Sequence, residues 1–261
     1  MTMVRTTFNE TRKGLIILWD YKFSMFTQLL GIFFVFIGIM FFVGQGSITQ
    51  EQVASTVIGF IITFYAMETV SNMSWALQNE AQVGTLEQMY MSPAPTPLVI
   101  LGRSFASLVS GTVEMVIVVI ATMLLFQVTL PFSWAIIPIL LITLVGLLGF
   151  GYLIGGLTLI FKQIGPIANL MQNFLLIGNG TFLPVSMMPA WLSAISLALP
   201  STYGIVLMRR IMLDGETFMM LVRDGSIMWL GVQSVAYFIA GWLIYKFCER
   251  IARNQGTLGQ Y

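Results

Sequence analysis

The sequence is divided into apolar blocks, each close to the roughly 20 residues with which a helix crosses a hydrocarbon core. The blocks lie at about 24–43, 53–78, 98–126, 134–161, 165–184 and 226–247. Only 9% of the residues are charged, whereas soluble domains have about 25% charged residues. The pattern predicts an all-α integral membrane protein with six transmembrane helices in a single domain over residues 1–261.

The composition excludes several classes of membrane enzyme. The chain has no histidine and one cysteine, so Ser-His-Asp triads, Cys-His dyads and histidine-ligated zinc or haem sites cannot form. The net charge is +1 and the basic residues are scattered, which does not suit binding to nucleic acid. We expect no catalytic residues, no metal, no cofactor bound by this chain and no nucleic-acid partner.

The positions of Lys and Arg predict the orientation, because loops rich in these residues stay in the cytoplasm. With six spans, both termini are cytoplasmic and nine of the twelve basic residues lie at cytoplasmic ends. These nine are Arg5, Arg12, Lys13, Lys22, Arg103, Lys162, Lys246, Arg250 and Arg253. A seventh span over 190–208 gives the same nine-to-three division, so the charges do not decide between six and seven spans.

Prolines favour the six-span alternative. Pro184, Pro189 and Pro200 interrupt the apolar stretch, and proline removes backbone hydrogen bonds from a helix. Inside a membrane, irregular backbone is tolerated only where protein or water surrounds it. Residues 186–213 are therefore predicted to form two short helices that enter the outer leaflet and return.

An amphipathic helix is predicted over residues 4–20. One face recurs at helical spacings of three and four, with Val4, Phe8, Thr11, Leu15 and Leu18. Trp19 and Tyr21 follow where aromatic side chains anchor a span at the interface. They favour a helix lying on the inner membrane surface over a solvated N-terminal helix.

The cytoplasmic connection between the second and third spans predicts a surface for a partner protein. A helix is expected over residues 79–91, because the prolines that follow would end it. One face of the helix is apolar, with Val83, Leu86 and Tyr90, and another carries Glu80 and Glu87. A helix of this kind at the end of two spans suits docking into a partner's groove.

This connection resembles the coupling helix of the ABC-2 type transporter permeases. The matching motif is Glu80-x-x-x-Gly84-Thr85-Leu86-Glu87-Gln88, with Pro93 beyond it. The resemblance extends to the N-terminal amphipathic helix, the six spans and the outer helices of residues 186–213. It implies that a groove of a separate ABC ATPase subunit is contacted by Glu80, Gly84, Thr85, Leu86 and Glu87.

Several properties of the whole assembly follow from the resemblance. The chain has no Gly-x-x-x-x-Gly-Lys-Ser/Thr phosphate-binding loop, so ATP and Mg are expected on the partner ATPase. The chain itself is expected to be a transport subunit rather than an enzyme. Its expected partners are two copies of the ATPase, a second permease, identical or homologous, and membrane lipid. The expected location is the cytoplasmic (inner) membrane of a prokaryote.

Two acidic residues lie inside the predicted spans, where an unpaired carboxylate is costly. Glu68 is predicted to form a structural ion pair with Arg103, near the start of the third span. Glu114 lies near the middle of that span and has no charged neighbour in sequence. The sequence leaves open whether Glu114 lines a substrate path or makes a packing contact.

The fifth predicted span carries a polar stripe formed by Asn169, Gln172 and Asn173. Such a stripe on a membrane helix must face protein or water. The family resemblance places this span beside the substrate path at the interface between two permeases. Hydrogen bonding between helices without substrate contact is the alternative.

The function implied is the export of an amphiphilic, lipid-like or drug-like substrate out of the cytoplasm or inner leaflet, because the path is mainly apolar. The alternative is a polysaccharide or glycolipid exporter of the same family, which aromatic side chains lining the path would support. The candidates for such a lining are Trp19, Tyr21, Phe26 and Phe33. The coupling-helix motif disfavours an ATP-independent channel or a membrane scaffold.

Overall fold

The computed structural model describes residues 22–43, 49–91, 96–130, 133–161 and 165–254. The amphipathic helix predicted over 4–20 lies outside these residues. The described residues form α-helices and one short 3-10 helix, Val185–Met187, with no strand among them. The α-helices are α1 Lys22–Val43, α2 Gln50–Gln82, α3 Leu86–Met91, α4 Thr96–Phe126, α5 Ile136–Ile160, α6 Gly165–Gly178, α7 Ala190–Ala198, α8 Pro200–Met212, α9 Phe218–Arg223 and α10 Ser226–Asn254. The predicted all-α class is confirmed.

Four of the described helices, α2, α4, α5 and α10, are long and apolar enough to cross a membrane. The bent pair α7–α8 adds a fifth candidate if it forms one span. Helix α1 contains 22 residues, which rise about 33 Å. The chain is therefore a multi-pass membrane protein, and the count of six spans stays a prediction.

The helix over the predicted span 165–184 is shorter than expected. Helix α6 ends at Gly178 after 14 residues, a rise of only about 21 Å. Gly180 has a φ of +85°, which glycine adopts at little cost and which ends helical geometry. The carbonyls of Gly180 and Thr181 accept hydrogen bonds from Arg209 instead, both at 2.7 Å.

Helix α5 packs against both α2 and α10, and glycine allows it to approach both closely. A Cβ atom on Gly241 of α10 would overlap the backbone of Gly149 of α5, so the two backbones touch there. Gly151 of α5 lies against Thr69 and Met73 of α2. Small residues permit this close packing of helices in membranes.

Helices α7 and α8 are two short helices in the region 186–213, and they meet at 91°. Pro200, at the start of α8, lies against Gly146 midway along α5. Near the other end of α8, the Arg209 guanidinium donates to the Ser55 carbonyl at the beginning of α2. Helix α8 therefore runs from the middle of α5 toward the side where α2 begins. This direction suits a re-entrant segment, and re-entry stays a prediction.

The two ends of α10 identify which segments share a side. Ser226, at its start, accepts a hydrogen bond from Arg210 of α8 (3.0 Å). Tyr245, in its last third, is hydrogen-bonded to Tyr90 of α3 (3.1 Å). The C-terminal end of α10 therefore lies on the side of α3, opposite the end of α8.

Candidate functional site

The predicted coupling helix is broken by a tight turn, so the prediction of one helix over 79–91 is wrong. Helix α2 continues to Gln82, and α3 begins four residues later. Gly84 has a φ of +75°, and the Thr85 amide donates to the Glu80 carbonyl (2.9 Å). These are the features of a Schellman cap, in which glycine ends a helix. We call residues 79–91 the coupling elbow; it places Glu80 in α2, Gly84 and Thr85 in the turn, and Leu86 and Glu87 in α3.

Glu80 holds the coupling elbow together. Its Oε1 atom accepts a hydrogen bond from Arg103 Nη1 of α4 at 2.8 Å, and its Oε2 atom accepts one from Thr85 Oγ1. The predicted ion pair between Glu68 and Arg103 is therefore wrong, because Arg103 pairs with Glu80. Arg103 and Ser107 are one turn apart on α4; Arg103 reaches Glu80 near the end of α2, whereas Ser107 donates to the Glu68 carboxylate.

Helix α3, the second helix of the coupling elbow, rests against the end of α10. The hydroxyl oxygens of Tyr90 and Tyr245 are 3.1 Å apart. The Arg253 guanidinium lies 5.1 Å from the centre of the Tyr90 ring, within the range of a cation–π interaction. Val83 and Met91 are 74% and 79% exposed. The elbow thus presents apolar side chains at its surface while its base is attached to α4 and α10.

The Glu68 carboxylate of α2 binds neutral partners. Its Oε1 atom accepts hydrogen bonds from Asn72 Nδ2 and Ser107 Oγ, both at 2.7 Å. Asn72 is one turn farther along α2 and Ser107 is on α4, so the carboxylate joins the two helices. Neither partner of Glu68 is predicted from the sequence. The four-residue spacing of Glu68 and Asn72 was the available signal, whereas no spacing identifies Ser107.

A cavity of about 320 Å³ lies between α1, α2 and α6. Its polar lining consists of Glu68, Ser71 and Gln172, and the rest of the lining is apolar, including Phe60 and Phe64. The α2 residues recur at spacings of three and four, so one face of α2 forms the wall. The volume lies within the range of small-molecule sites, about 300–1,000 Å³.

The predicted polar stripe of α6 is divided between two environments. Gln172 lines the cavity, whereas Asn169 and Asn173 lie on the exposed side of the helix. The structure therefore places Gln172 in the same cavity lining as Glu68, the residue for which an ion pair with Arg103 was predicted. Asn169 and Asn173 instead form a polar surface outside the cavity.

Glu114 lies half-buried on α4. It follows Ser107 by seven residues, so the two share a helix face, and it is within electrostatic range of Glu68. Gly111, on the same face, lies 3.7 Å from the Glu68 side chain, measured from the position a Cβ atom would take. The two intramembrane acids of the sequence therefore lie on facing surfaces of α2 and α4.

Comparison with known families gives one decisive match. The model of the family described as "ABC-2 type transporter" matches residues 10–213, which is well over half of the chain. The chain belongs to the ABC-2 type transporter family. A search of curated proteins found no match. The family consists of transport permeases that are not themselves catalytic and that normally work with an ATPase subunit.

Arg209 is a further residue of this ABC-2 permease whose role the sequence analysis missed. Its guanidinium donates to the carbonyls of Ser55, Gly180 and Thr181 at distances between 2.7 and 3.2 Å. At Gly180 and Thr181 it satisfies carbonyls that the break after α6 leaves without helical partners, and at Ser55 it joins this segment to α2. An arginine beside a proline-interrupted apolar stretch was the only signal in the sequence.

Proposed function

We propose that this chain is the transmembrane permease subunit of an ATP-driven ABC exporter. The coupling elbow docks onto a separate ABC ATPase subunit, which binds ATP and Mg. The observation that carries the proposal is that the elbow exposes the apolar side chains of Val83 and Met91. Its other contacts attach it to α4 and α10. An exposed apolar surface of this kind suits burial in a partner's groove.

The contacts of the elbow link it to three long helices. It is continuous with α2, Glu80 joins it to α4 through Arg103, and Tyr90 joins it to α10 through Tyr245. Glu68 lies on α2 about 18 Å from Glu80. A displacement of the elbow by ATP binding would therefore reach the helix that forms the cavity wall.

The substrate class we propose is amphiphilic, lipid-like or drug-like, moved out of the cytoplasm or inner leaflet. The cavity lining supports it, because it is mainly apolar with three polar side chains. Among the described residues, the aromatic lining of the cavity consists of Phe60 and Phe64, and it includes none of the four aromatic residues that the sequence offered for a sugar path. Phe26 and Phe33 lie on α1, yet neither is among the residues that line the cavity, and Trp19 and Tyr21 lie outside the described residues.

We place the elbow in the cytoplasm of a prokaryotic cell, with both termini on that side of the inner membrane. The position of the α10 end beside α3 supports the cytoplasmic C-terminus. The working assembly contains two permeases, identical or homologous, and two ATPases. Asn169 and Asn173 support the second permease, because exposed polar side chains on a membrane helix require protein or water as neighbours.

Substitution of Gly84 by tryptophan tests the docking surface. No atom lies within 4 Å of the position of a Cβ atom on Gly84, so the indole would project from the elbow into the ATPase groove. We expect Gly84→Trp to lower ATPase co-purification and ATP-driven transport in proteoliposomes by roughly tenfold or more, a change of about 1.4 kcal/mol or more. Glu87→Arg reverses a charge of the same motif and should act in the same direction.

Gly215→Trp is the matched control. Gly215 also has a positive φ, +69°, and open surroundings, but it lies between α8 and α9, on the opposite side from α3. The backbone strain is therefore similar, and only the docking surface differs. Normal transport by both Gly84→Trp and Glu87→Arg would show that the elbow does not couple to an ATPase.

A further inference from the structure

The cavity between α1, α2 and α6 contains a carboxylate with unused binding capacity. Asn72 and Ser107 both donate to Oε1 of Glu68, and no described residue donates to Oε2. The two hydrogen bonds fix the carboxyl group at the wall. They leave its second oxygen available at a cavity whose lining is otherwise mainly apolar.

Four arginines in the described part of the chain are engaged away from Glu68. Arg103 pairs with Glu80, Arg210 pairs with Glu216 and Asp224, and Arg253 pairs with Glu249. Arg209 binds backbone carbonyls. A carboxylate in apolar surroundings is stabilised by a positive charge that comes close to it. Among the described residues, none supplies such a charge to Glu68.

The neighbourhood of Glu68 is also acidic. Glu114 is within electrostatic range on the facing surface of α4, so a positive charge placed at the cavity wall interacts favourably with both carboxylates. The rings of Phe60 and Phe64 add apolar area, and aromatic faces attract cations as well. The acidic charge and the apolar lining thus favour a ligand that is positively charged and otherwise apolar.

We propose that this cavity binds lipophilic cations, with the apolar body of the ligand against Phe60 and Phe64 and the positive charge at Oε2 of Glu68. The proposal rests on the proposed transport function and names its substrate class. It also assigns Glu68 a ligand-binding role in place of the ion pair expected from the sequence. Gln172 of α6 closes the polar side of the cavity and contributes a neutral contact.

Direct binding to the purified full-length permease tests the proposal. Tetraphenylphosphonium and tetraphenylborate have the same shape and opposite charges, so a comparison of their dissociation constants isolates the charge preference. We expect saturable binding of tetraphenylphosphonium that is at least roughly tenfold tighter than that of tetraphenylborate, a difference of about 1.4 kcal/mol or more. Equal affinities, or no saturable binding of tetraphenylphosphonium, would overturn the proposal.

Glu68→Gln identifies the residue responsible. The amide keeps the shape and its oxygen still accepts hydrogen bonds from Asn72 and Ser107, so the fold is retained while the charge is removed. We expect tetraphenylphosphonium to bind at least tenfold more weakly, with thermal stability close to that of the wild type. Glu51→Gln is the matched control, because Glu51 is an exposed acid on the same helix outside the cavity. Unchanged affinity in Glu68→Gln would overturn the assignment.

Two further measurements test the proposal if Glu68→Gln does not fold. The first is the comparison of tetraphenylphosphonium with tetraphenylborate, which uses only the wild-type protein. Ser71→Trp would fill the cavity from α2 without removing a charge, and it should abolish tetraphenylphosphonium binding; normal binding by this variant would exclude the cavity as the site.

Failure of this proposal is distinguishable from failure of the proposed function. Binding is measured on the permease alone, without ATP or ATPase. A permease that couples to its ATPase through Gly84 but binds no lipophilic cation would disprove the ligand class only. A permease that binds the cation but never associates with an ATPase would disprove the transport function only.

Discussion

At the scale of single residues, substitution of Glu114 distinguishes a role in transport from a packing contact. No described residue donates a hydrogen bond to its carboxylate, and the side chain is half-buried beside Glu68. We expect Glu114→Gln to change stability by less than about 1 kcal/mol, the usual scale of a hydrogen bond between membrane helices. ATP-driven transport in inverted vesicles, or its pH dependence, should change. A variant that is less stable but keeps the wild-type transport and pH profile would assign Glu114 to packing.

Asp224, just before the start of α10, gives the stability of the protein a pH dependence. Hydrogen bonds from the Ser226 side chain and backbone, together with Arg210, lower the pKa of Asp224 to about 2. A lowered pKa means that the stabilising contribution is complete above the unfolded value, about 3.9, and is lost as the pH falls toward 2. We therefore expect the difference in thermal midpoint between wild type and Asp224→Asn to be constant above about pH 5 and to shrink below pH 4.

The control for Asp224 is Asp214→Asn, an exposed acid in the connection that follows α8. It lacks the ion pair with Arg210 and the cap at the start of α10. Thermal unfolding of the detergent-solubilised protein at pH 2 to 7 provides the measurement. A difference between wild type and Asp224→Asn that persists unchanged to pH 2 would disprove the capping role.

At the scale of elements, the contact between α5 and α10 depends on glycine at the point of closest approach. A Cβ atom on Gly241 would overlap the Gly149 backbone, and the clash cannot be relieved by rotating a side chain. We expect Gly241→Ala to destabilise the protein by about 1–3 kcal/mol, as overpacking does elsewhere. Gly231→Ala, on the same helix but with open surroundings, should leave the thermal midpoint nearly unchanged. Equal midpoints for both variants would contradict direct backbone contact.

At the scale of the whole molecule, the side on which each end lies can be tested by cysteine labelling. Thr217→Cys, beyond α8, should react in intact cells with a maleimide that cannot cross the membrane. Asn254→Cys, at the end of α10, should react only after the membrane is opened. The native Cys248 is buried and should stay unlabelled in both. Labelling of Asn254→Cys from outside would establish the seven-span alternative.

The sequence alone determined the membrane class and the helical fold, and it predicted a coupling segment over residues 79–91. These depend on local quantities: block length is matched to bilayer thickness, and backbone hydrogen bonds must be satisfied inside each helix. The motif from Glu80 to Glu87 was sufficient to indicate the family that the match over residues 10–213 shows. The break at Gly84, between α2 and α3, was not predicted. In a sequence, a glycine inside a helix cannot be distinguished from a glycine that caps its end, because the difference lies in the backbone φ.

Only the tertiary structure decided which polar residues meet. Glu68 and Arg103 were recognisable as opposite charges toward the same end of two neighbouring spans. Arg103 nevertheless pairs with Glu80, and Glu68 binds Asn72 and Ser107 and lines the cavity. The choice depends on how far each helix is shifted along its axis relative to its neighbour; between α2 and α4, Gly111 lies against Phe64 and Glu68. The partners of a side chain on a neighbouring helix therefore depend on how the helices pack. They cannot be predicted from the spacing of residues within one helix.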